Sequence, residues 1–236
     1  MGLVWGSFLN VVIIRSVKKK SFVAGRSYCP KCKHQLAWKD NIPLLSFIFL
    51  RGRCAYCKKR ISLIYPVVES LTGVFFVWWF LVGTGFFRLV GSPWSLVQPI
   101  FWLVVGMVFI SIFVVDLLYM LIPFWMNLFL FSFVMAYKLL LLSFGMLRGD
   151  DFVRAILSGL VLAFVLQIIS KLTKKIKGVD GFGLGDIYLV PSLGLLLGWP
   201  KILPGIFMAF LLGSLVGITL LISGKKHLGD YLPFGP

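Results

Sequence analysis

Residues 99–122 read PIFWLVVGMVFISIFVVDLLYMLI, a run of 24 residues in which Asp116 is the single charged side chain. A helix of about 20 apolar residues is long enough to cross the hydrocarbon core of a bilayer. The rest of the chain shares this character, because 59% of its 236 residues are hydrophobic, 14% are charged and the mean hydropathy is +0.97. Such a composition excludes a soluble enzyme and an intrinsically disordered chain. The sequence therefore predicts an all-α polytopic membrane protein.

Six further apolar runs lie on either side of this one. Five of them have the same pattern or a shortened form of it, at residues 63–87, 124–147, 152–170, 187–199 and 202–223. The sixth, at residues 2–14, spans only about 20 Å at 1.5 Å per residue. It lacks the small-residue cleavage site of a signal peptide, so we interpret it as a retained first helix, either truncated or short. The sequence thus predicts about seven transmembrane helices.

Basic residues are concentrated in one part of the chain. The sequence holds 24 lysines and arginines against 8 acidic residues, a formal charge of +16, and 13 of the basic residues lie between positions 15 and 62. In a polytopic membrane protein such an excess marks loops kept in the cytoplasm beside anionic lipid, and it gives no reason to expect a nucleic-acid partner. Placing residues 15–62 inside puts 19 basic residues in the cytoplasm and 4 outside. We therefore expect a cytoplasmic insert and an external N-terminus.

All four cysteines lie in this insert, as Cys29-Pro-Lys-Cys32 and Cys54-Ala-Tyr-Cys57, with 21 residues between the pairs. Two C-x-x-C turns at this spacing can supply four thiolates to a tetrahedral zinc ion, as in zinc ribbons. Two disulfides and a redox pair are the alternatives. The reducing cytoplasm disfavours disulfides, and no βαβ pattern of a redox fold surrounds either pair. Because the protein supplies all four ligands, Cys29, Cys32, Cys54 and Cys57 are predicted to bind a structural zinc in a zinc-ribbon-like insert.

Only eight residues are acidic, so each of them is informative: Asp40, Glu69, Asp116, Asp150, Asp151, Asp180, Asp186 and Asp230. Asp116 lies inside a long apolar run, where a charge costs about 2.5–3.5 kcal/mol on insertion scales, so it is a candidate functional residue. With the N-terminus outside, its helix runs inward, and Asp116 lies about two turns from the cytoplasmic end. Asp150 and Asp151 fit a solvated external turn. Glu69 is expected to pair with arginines of the insert.

The stretch Gly181-Phe-Gly-Leu-Gly-Asp186 precedes a helix that starts on the cytoplasmic side. One interpretation is that Asp186 caps this helix, since aspartate at a helix start accepts backbone N–H bonds. The topology, however, places Asp186 at the same depth as Asp116. Two carboxyl groups brought together in a poorly hydrated site share one proton and can activate water for peptide hydrolysis. The topology therefore favours Asp116 and Asp186 as a pair that can hydrolyse a peptide.

Other chemistries lack the residues that they need. The chain has no H-E-x-x-H motif, and its two histidines, His34 and His227, lie in the insert and the tail. Lys138, the candidate base of a serine–lysine protease, has no obvious partner. The glycine-rich stretch before Asp186 lacks the strand and the lysine of a phosphate-binding loop. A non-catalytic polytopic scaffold with a zinc-binding insert is the remaining alternative.

The Gly183-Leu-Gly-Asp186 motif, with Asp116 upstream, resembles the intramembrane aspartyl proteases of the Gly-x-Gly-Asp type. The N-terminal third is similar to bacterial type IV prepilin peptidases in particular. The shared stretches are GSFLNVVIIR at 6–15, the two C-x-x-C pairs, NIPLLS at 41–46, LRGRC at 50–54, ISLIYPVVE at 61–69 and PFGP at 233–236. The resemblance covers nearly the whole chain.

This resemblance implies an enzyme of the bacterial inner membrane that removes the basic leader from prepilins or pseudopilins at the cytoplasmic face, after a glycine, with Asp116 and Asp186 as catalytic residues. In bifunctional members S-adenosylmethionine then serves to methylate the new N-terminus, and the cysteine-bearing insert is typical of that type. No S-adenosylmethionine loop is recognisable in the sequence. The implied organisation is a first transmembrane helix at 1–14, a zinc insert at 15–62 and a transmembrane aspartyl peptidase core at 63–236.

The sequence departs from the family pattern at two positions near the aspartates. The family usually carries an aspartate after the Ile-Pro that follows the first catalytic aspartate, whereas Phe124 follows Pro123 here. The family commonly has a lysine two residues after Gly-x-Gly-Asp, where this chain has Tyr188. Members also normally begin several residues earlier and end one apolar helix later, so the expectation is a fragment or a minimal version of the fold.

Overall fold

The computed structural model describes residues 1–18, 21, 25–86, 97–178 and 181–222. Across these ranges the chain is helical and forms no β-strand beyond two isolated bridges, so the predicted all-α class is confirmed there. Some features named from the sequence lie outside the described residues. These are Asp180, Asp230, His227, the PFGP sequence at 233–236 and five of the basic residues counted for the topology, namely Lys19, Lys20, Arg88, Lys225 and Lys226.

Each predicted apolar run forms a helix. In chain order the described elements are α1 (Gly2–Val17), a 3-10 turn (Trp38–Asn41), α2 (Leu45–Phe49), α3 (Ile64–Trp78), a π-helical turn (Trp79–Gly83), α4 (Thr84–Phe86), α5 (Val97–Tyr119), α6 (Phe124–Ser143), α7 (Gly149–Lys177), α8 (Leu184–Leu197) and α9 (Ile202–Ile222).

Four helical stretches are long and apolar enough to cross a membrane. They are Ile64–Phe86, Val97–Tyr119, Phe124–Ser143 and Gly149–Ile176. Three further apolar helices are shorter, at Gly2–Val17, Leu184–Leu197 and Ile202–Leu215. Length and composition therefore support four of the seven predicted spans directly. A helix of 14 residues such as α8 covers about 21 Å, which is less than a typical hydrocarbon core.

The chain contains two compact units, Met1–Val114 and Val115–Pro236. In the first unit α1 lies along α3, and small residues permit a close approach. A Cβ atom at Gly6 of α1 would lie 2.7 Å from the Cα atom of Glu69 in α3, so a larger residue would force the helices apart. Ile13 of α1 and both Val68 and Thr72 of α3 are fully buried. This contact places the N-terminal end of α3 beside α1.

In the second unit α8 packs against α7 and α6. Gly159 of α7 permits the approach, since a Cβ atom there would lie 2.9 Å from the carbonyl oxygen of Pro191 in α8. Leu166 of α7 and both Ile187 and Val190 of α8 form a buried cluster at the same contact. The packing holds the start of α8 in place, and Asp186 lies at that start.

Helix α7 is longer than its apolar run suggested. The run predicted an end near residue 170 and a basic loop after it, whereas the helix continues to Lys177. Gly178 ends it with a left-handed φ of 74°, and the N–H of Gly178 donates to the carbonyl oxygen of Lys174 at 2.9 Å. The lysines predicted in a loop therefore lie on the last two turns of α7, where cations interact favourably with the helix dipole.

Candidate active site and candidate metal centre

Asp116 lies in the last turn of α5. The helix ends at Tyr119 and does not continue to Ile122 as the apolar run suggested. Met120 leaves the helix with a φ of 51°, and its N–H donates to the carbonyl oxygen of Asp116 at 2.8 Å. The Asp116 residue is only 4% exposed. The structure therefore holds a buried carboxyl group at the very end of a long apolar helix.

Asp186 is the third residue of α8, and Gly183 occupies the N-cap position. The Asp186 carboxylate accepts a hydrogen bond from the backbone of Gly183. A Cβ atom at Gly183 would lie 3.0 Å from Oδ2 of Asp186, so the glycine leaves room for the side chain to turn back over the helix start. Asp186 thus caps α8 from the third position and is not itself the N-cap residue.

The carboxyl groups of Asp116 and Asp186 lie close enough together to interact electrostatically. Asp116 is buried and Asp186 is half-buried, so the pair has one shielded member and one member that a substrate or water can reach. Two carboxyl groups that repel each other away from bulk water do not both ionise easily. The arrangement can therefore combine one protonated carboxyl group with one carboxylate.

The connection between α5 and α6 lies against the start of α8. A Cβ atom at Gly185 would lie 2.9 Å from the Cβ atom of Ile122, so Gly185 permits the chain after Asp116 to approach the chain before Asp186. Asn127 of α6 donates from Nδ2 to the carbonyl oxygen of Gly185 at 3.1 Å. Asn127 was not among the candidate residues predicted from the sequence. The sequence feature that could have indicated it is an asparagine within an apolar helix, because such amides join helices inside membranes. In the structure Asn127 is buried.

The two C-x-x-C turns share one backbone geometry. Antiparallel bridges join Tyr28 to Gln35 and Arg53 to Arg60, so each runs from the residue before the first cysteine to the sixth residue after it. The residue that follows the second cysteine has a positive φ, 60° at Lys33 and 57° at Lys58. Its N–H donates to the carbonyl oxygen of the first cysteine, at 2.8 and 3.0 Å. The insert therefore repeats a turn that the sequence shows only as a spacing of cysteines.

The sulfur atoms of Cys29, Cys32, Cys54 and Cys57 all lie within 4.8 Å of one another, and those of Cys29 and Cys57 are 3.9 Å apart. Zinc–sulfur bonds of about 2.3 Å in a tetrahedron separate neighbouring sulfurs by about 3.8 Å. A disulfide would bring two sulfurs to about 2.05 Å. None of the four cysteines forms a disulfide in this structure. The structure therefore brings the four predicted ligands together at distances that fit a tetrahedral metal.

The electrostatics of the thiols also fit a bound cation. Burial acts to raise the pKa of Cys29, but backbone hydrogen bonds from Cys32 and Lys31 outweigh it and lower that pKa to about 7. A backbone hydrogen bond from His34 acts to lower the pKa of Cys32, but desolvation and the neighbouring sulfurs raise it to about 11. The Cys29 thiolate thus forms readily, and its negative charge disfavours ionisation of Cys32. A divalent cation offsets this repulsion between thiolates, because metal binding deprotonates coordinating thiols.

Glu69 does not pair with arginines of the insert as expected. It is buried in the first turns of α3, and none of the ion pairs among the described residues includes it. Its Oε2 atom instead accepts a hydrogen bond from the N–H of Leu44 at 2.9 Å, and Ser7 of α1 also bonds to its side chain. Glu69 therefore joins α1, α3 and the insert within the first unit.

Two sequence profiles match the chain. Residues 1–83 match the bacterial peptidase A24 N-terminal domain, and residues 102–218, which include both aspartates, match the type IV leader peptidase family. The chain belongs to the type IV leader peptidase family. No solved structure was found to match it.

Individual relatives agree with this family assignment. The prepilin leader peptidase/N-methyltransferase of Myxococcus xanthus is 35% identical over 226 residues, which cover 94% of this chain and 62% of the relative's length. The proteins of the same name from Aeromonas hydrophila and Vibrio cholerae are 31% and 30% identical over 99% and 100% of this chain, and the matches cover 83% and 89% of those relatives. The matched regions thus contain both the cysteine insert and the aspartates.

Phe124 and Tyr188, the two residues at which the sequence departs from the expected family pattern, contact each other. The rings of Phe124 in α6 and Tyr188 in α8 meet edge to face, with centroids 5.8 Å apart and planes at 81°. Both side chains are more than a third exposed and lie beside the start of α8. An aromatic contact therefore occupies the place where the family pattern puts an aspartate and a lysine.

This contact predicts coupled effects of substitution. Phe124→Asp or Tyr188→Lys alone loses the ring contact, worth about 0.5–1.5 kcal/mol, whereas Phe124→Asp/Tyr188→Lys restores an attraction as an ion pair. We expect the double variant to be more stable than the sum of the single effects. Thermal unfolding of the unsubstituted chain, the two single variants and the double variant in one detergent measures this coupling. Strictly additive changes in stability would contradict the proposal that an ion pair can replace the aromatic contact.

Proposed function

We propose that this chain is a prepilin peptidase, a membrane aspartic endopeptidase that removes the basic leader from type IV prepilins or pseudopilins. The observation that carries the proposal is the electrostatic interaction of Asp116 with Asp186 within the region that matches the leader peptidase family. The names of the relatives supply the substrate class. Asp116 and Asp186 are the proposed catalytic residues.

Peptide hydrolysis follows from one proton shared by two carboxyl groups. The ionised carboxylate takes a proton from water as the water oxygen attacks the carbonyl carbon, and the protonated carboxyl donates to the carbonyl oxygen. This gives a neutral diol. The C–N bond then breaks as one diol hydroxyl returns its proton to a carboxylate and the other carboxyl protonates the leaving nitrogen. Both aspartates end in their starting forms, and no covalent enzyme intermediate is needed.

The direct test is cleavage of a prepilin in membranes that contain the chain. We expect conversion to a shorter form that lacks the leader, seen as a shift on a gel, with the new N-terminus identified by mass spectrometry. Membranes without the chain provide the control. Intact prepilin in the presence of the inserted chain would reject the peptidase and favour the non-catalytic scaffold.

We also propose that the site faces the cytoplasm of a bacterial inner membrane and that α1, α8 and α9 complete about seven spans. The exposed lysines Lys171, Lys174 and Lys175 end α7, and Asp186 follows them by only a short connection. Asp116 interacts with Asp186, so both aspartates belong to the side that carries these lysines. Basic loops remain in the cytoplasm during insertion.

The two ends of α7 allow this sidedness to be tested with a matched pair of variants. Arg148→Cys places a thiol at the exposed start of α7, and Lys174→Cys places one near its end. In intact spheroplasts a membrane-impermeant maleimide should label the first variant and reach the second only after the membrane is permeabilised. The unsubstituted chain reports any labelling of the native cysteines. The reverse pattern would place the aspartates outside.

The remaining parts of the proposal concern the insert and a second activity. We propose the division into a first transmembrane helix at 1–14, a zinc insert at 15–62 and a peptidase core at 63–236. The sulfur distances within 4.8 Å support zinc at the four cysteines. The relatives' names support N-methylation of the new N-terminus, for which S-adenosylmethionine supplies an electrophilic methyl group.

A further inference from the structure

A cavity of about 520 Å³ lies in the first unit, between α1, the cysteine insert and the start of α3. Clefts that hold small molecules typically measure about 300–1,000 Å³ and combine an apolar wall with a few fixed polar groups. This cavity has that mixture, with aromatic and aliphatic side chains, two acidic residues and several basic ones in its wall. The mechanism of peptide hydrolysis uses none of these groups.

One buried amide in the wall has unused hydrogen-bonding capacity. Asn10 of α1 is 3% exposed, and its Nδ2 atom donates to the carbonyl oxygen of Tyr65 at 3.0 Å. Its Oδ1 atom has no partner among the described residues. A buried acceptor without a partner costs free energy, so natural proteins rarely keep one without a ligand or water to satisfy it. An N–H donor in the cavity would satisfy Asn10.

A buried carboxylate lies in the same wall. Glu69 is 8% exposed, and its side chain is already fixed by Leu44 and Ser7. No lysine or arginine among the described residues forms an ion pair with it. A carboxylate that is held in place within a mostly apolar cavity attracts a cationic ligand group strongly, because little water remains to screen the charge.

The cavity wall also carries positive charge. Arg15, one of its lining residues, donates hydrogen bonds to the carbonyl oxygens of Ser21, Gly25 and Arg26 at 2.9–3.3 Å. Lys18 and Lys59 also line the cavity. A ligand that fits must therefore combine a cationic centre, an N–H donor and a flat apolar portion with an anionic end.

We propose that this cavity is the site for S-adenosylmethionine. The sulfonium and ammonium groups of that molecule match Glu69, and its carboxylate matches the basic residues of the wall. Its adenine ring matches the apolar and aromatic side chains, and its N–H groups match Asn10. The inference rests on the proposed methyltransfer activity. In that reaction the amine nitrogen of the mature pilin forms the new N–CH₃ bond, the S–CH₃ bond breaks with its electron pair left on sulfur, and the nitrogen releases a proton to solvent.

The test is direct binding by the full chain in lipid nanodiscs. Ultraviolet irradiation with radiolabelled S-adenosylmethionine should crosslink the label to peptides from residues 1–69, and unlabelled S-adenosylhomocysteine should compete. Glu69→Gln keeps the shape and the Leu44 contact but removes the charge, so we expect it to bind about tenfold more weakly or worse. Asp150→Asn, which removes an exposed carboxylate on α7, is the matched control and should bind as the unsubstituted chain does.

Several results would overturn the inference. They are absence of binding by the unsubstituted chain, crosslinks confined to residues 115–222, unchanged affinity in Glu69→Gln, and competition by phosphatidylglycerol but not by S-adenosylhomocysteine, which would make the cavity a lipid-headgroup site. Zinc content and membrane insertion of Glu69→Gln show whether the variant is folded. Leader cleavage by the same unsubstituted preparation reports on the peptidase separately, so failure of one proposal is distinguishable from failure of the other.

Discussion

Replacing either Asp116 or Asp186 with asparagine should lower the rate of leader cleavage by about 10³-fold or more, because each carboxyl group has a role that the other cannot fill. Asparagine keeps the size and the acceptor oxygen of aspartate but neither gains nor loses a proton. The Asp186→Asn variant can still accept the hydrogen bond from Gly183 that caps α8, so we expect helix and fold to persist. Initial rates of prepilin cleavage in membranes, at matched levels of inserted protein, measure the effect.

Asp150 provides the control for this pair of variants. It is an exposed carboxylate at the start of α7, 3.1 Å from Arg148, and it belongs to no proposed site. Asp150→Asn should cleave prepilin at nearly the unsubstituted rate. Full activity in Asp116→Asn or Asp186→Asn would instead show that the wrong aspartates were chosen, and Asp180 and Asp230, outside the described residues, would be the next candidates.

The helical class and the positions of the apolar helices could be predicted from composition and run length. The ends of the helices could not. Hydropathy extended the helix of Asp116 to Ile122, but the chain leaves it after Tyr119 because Met120 adopts a left-handed φ. Hydropathy also ended α7 near residue 170, although the helix continues through lysines. Hydropathy measures burial in lipid, whereas a helix ends where its backbone turns and is capped.

In the candidate active site, too, the sequence predicts individual residues better than it predicts the contacts that folding makes between them. Scarcity of charge singled out Asp116 and Asp186, and a topological argument placed them at one depth. The other residues that contact one another near these aspartates could not be predicted in this way. Asn127 bonds to Gly185, and Phe124 contacts Tyr188, across 58 and 64 positions of sequence respectively, and a single sequence carries no sign of which distant residues will meet.

The cysteines and the basic residues allowed the insert to be predicted from the sequence. The backbone geometry inside the insert could not be predicted. Sequence spacing predicts that two C-x-x-C turns can share a metal, but it says nothing about the repeated bridge or the left-handed lysines at 33 and 58. Glu69 was expected to pair with an arginine because opposite charges attract. Glu69 accepts a hydrogen bond from the backbone N–H of Leu44 instead, since a partly buried N–H also needs an acceptor.

Removing one cysteine ligand should release the zinc ion and unfold the insert. Structural zinc contributes apparent binding free energies of about 10–16 kcal/mol in zinc-finger peptides, and such sites are unfolded without metal. The insert has few other sources of stability, because its described part contains one five-residue helix, one 3-10 turn and two isolated bridges. Cys54→Ser removes a buried ligand, so we expect loss of zinc from the purified chain and rapid tryptic cleavage within residues 15–62.

Lys58→Gly is the matched control, because it alters the same turn without touching a sulfur. Glycine adopts the φ of 57° at this position more readily than lysine does, so zinc content should be unchanged and the insert at least as stable. Elemental analysis and limited trypsin digestion of the three proteins compare these effects. A chain that contains no zinc, or that keeps it after Cys54→Ser, contradicts the metal centre. Thiol alkylation followed by mass spectrometry then decides whether the four close sulfurs form disulfides instead, since each disulfide protects two cysteines from the reagent.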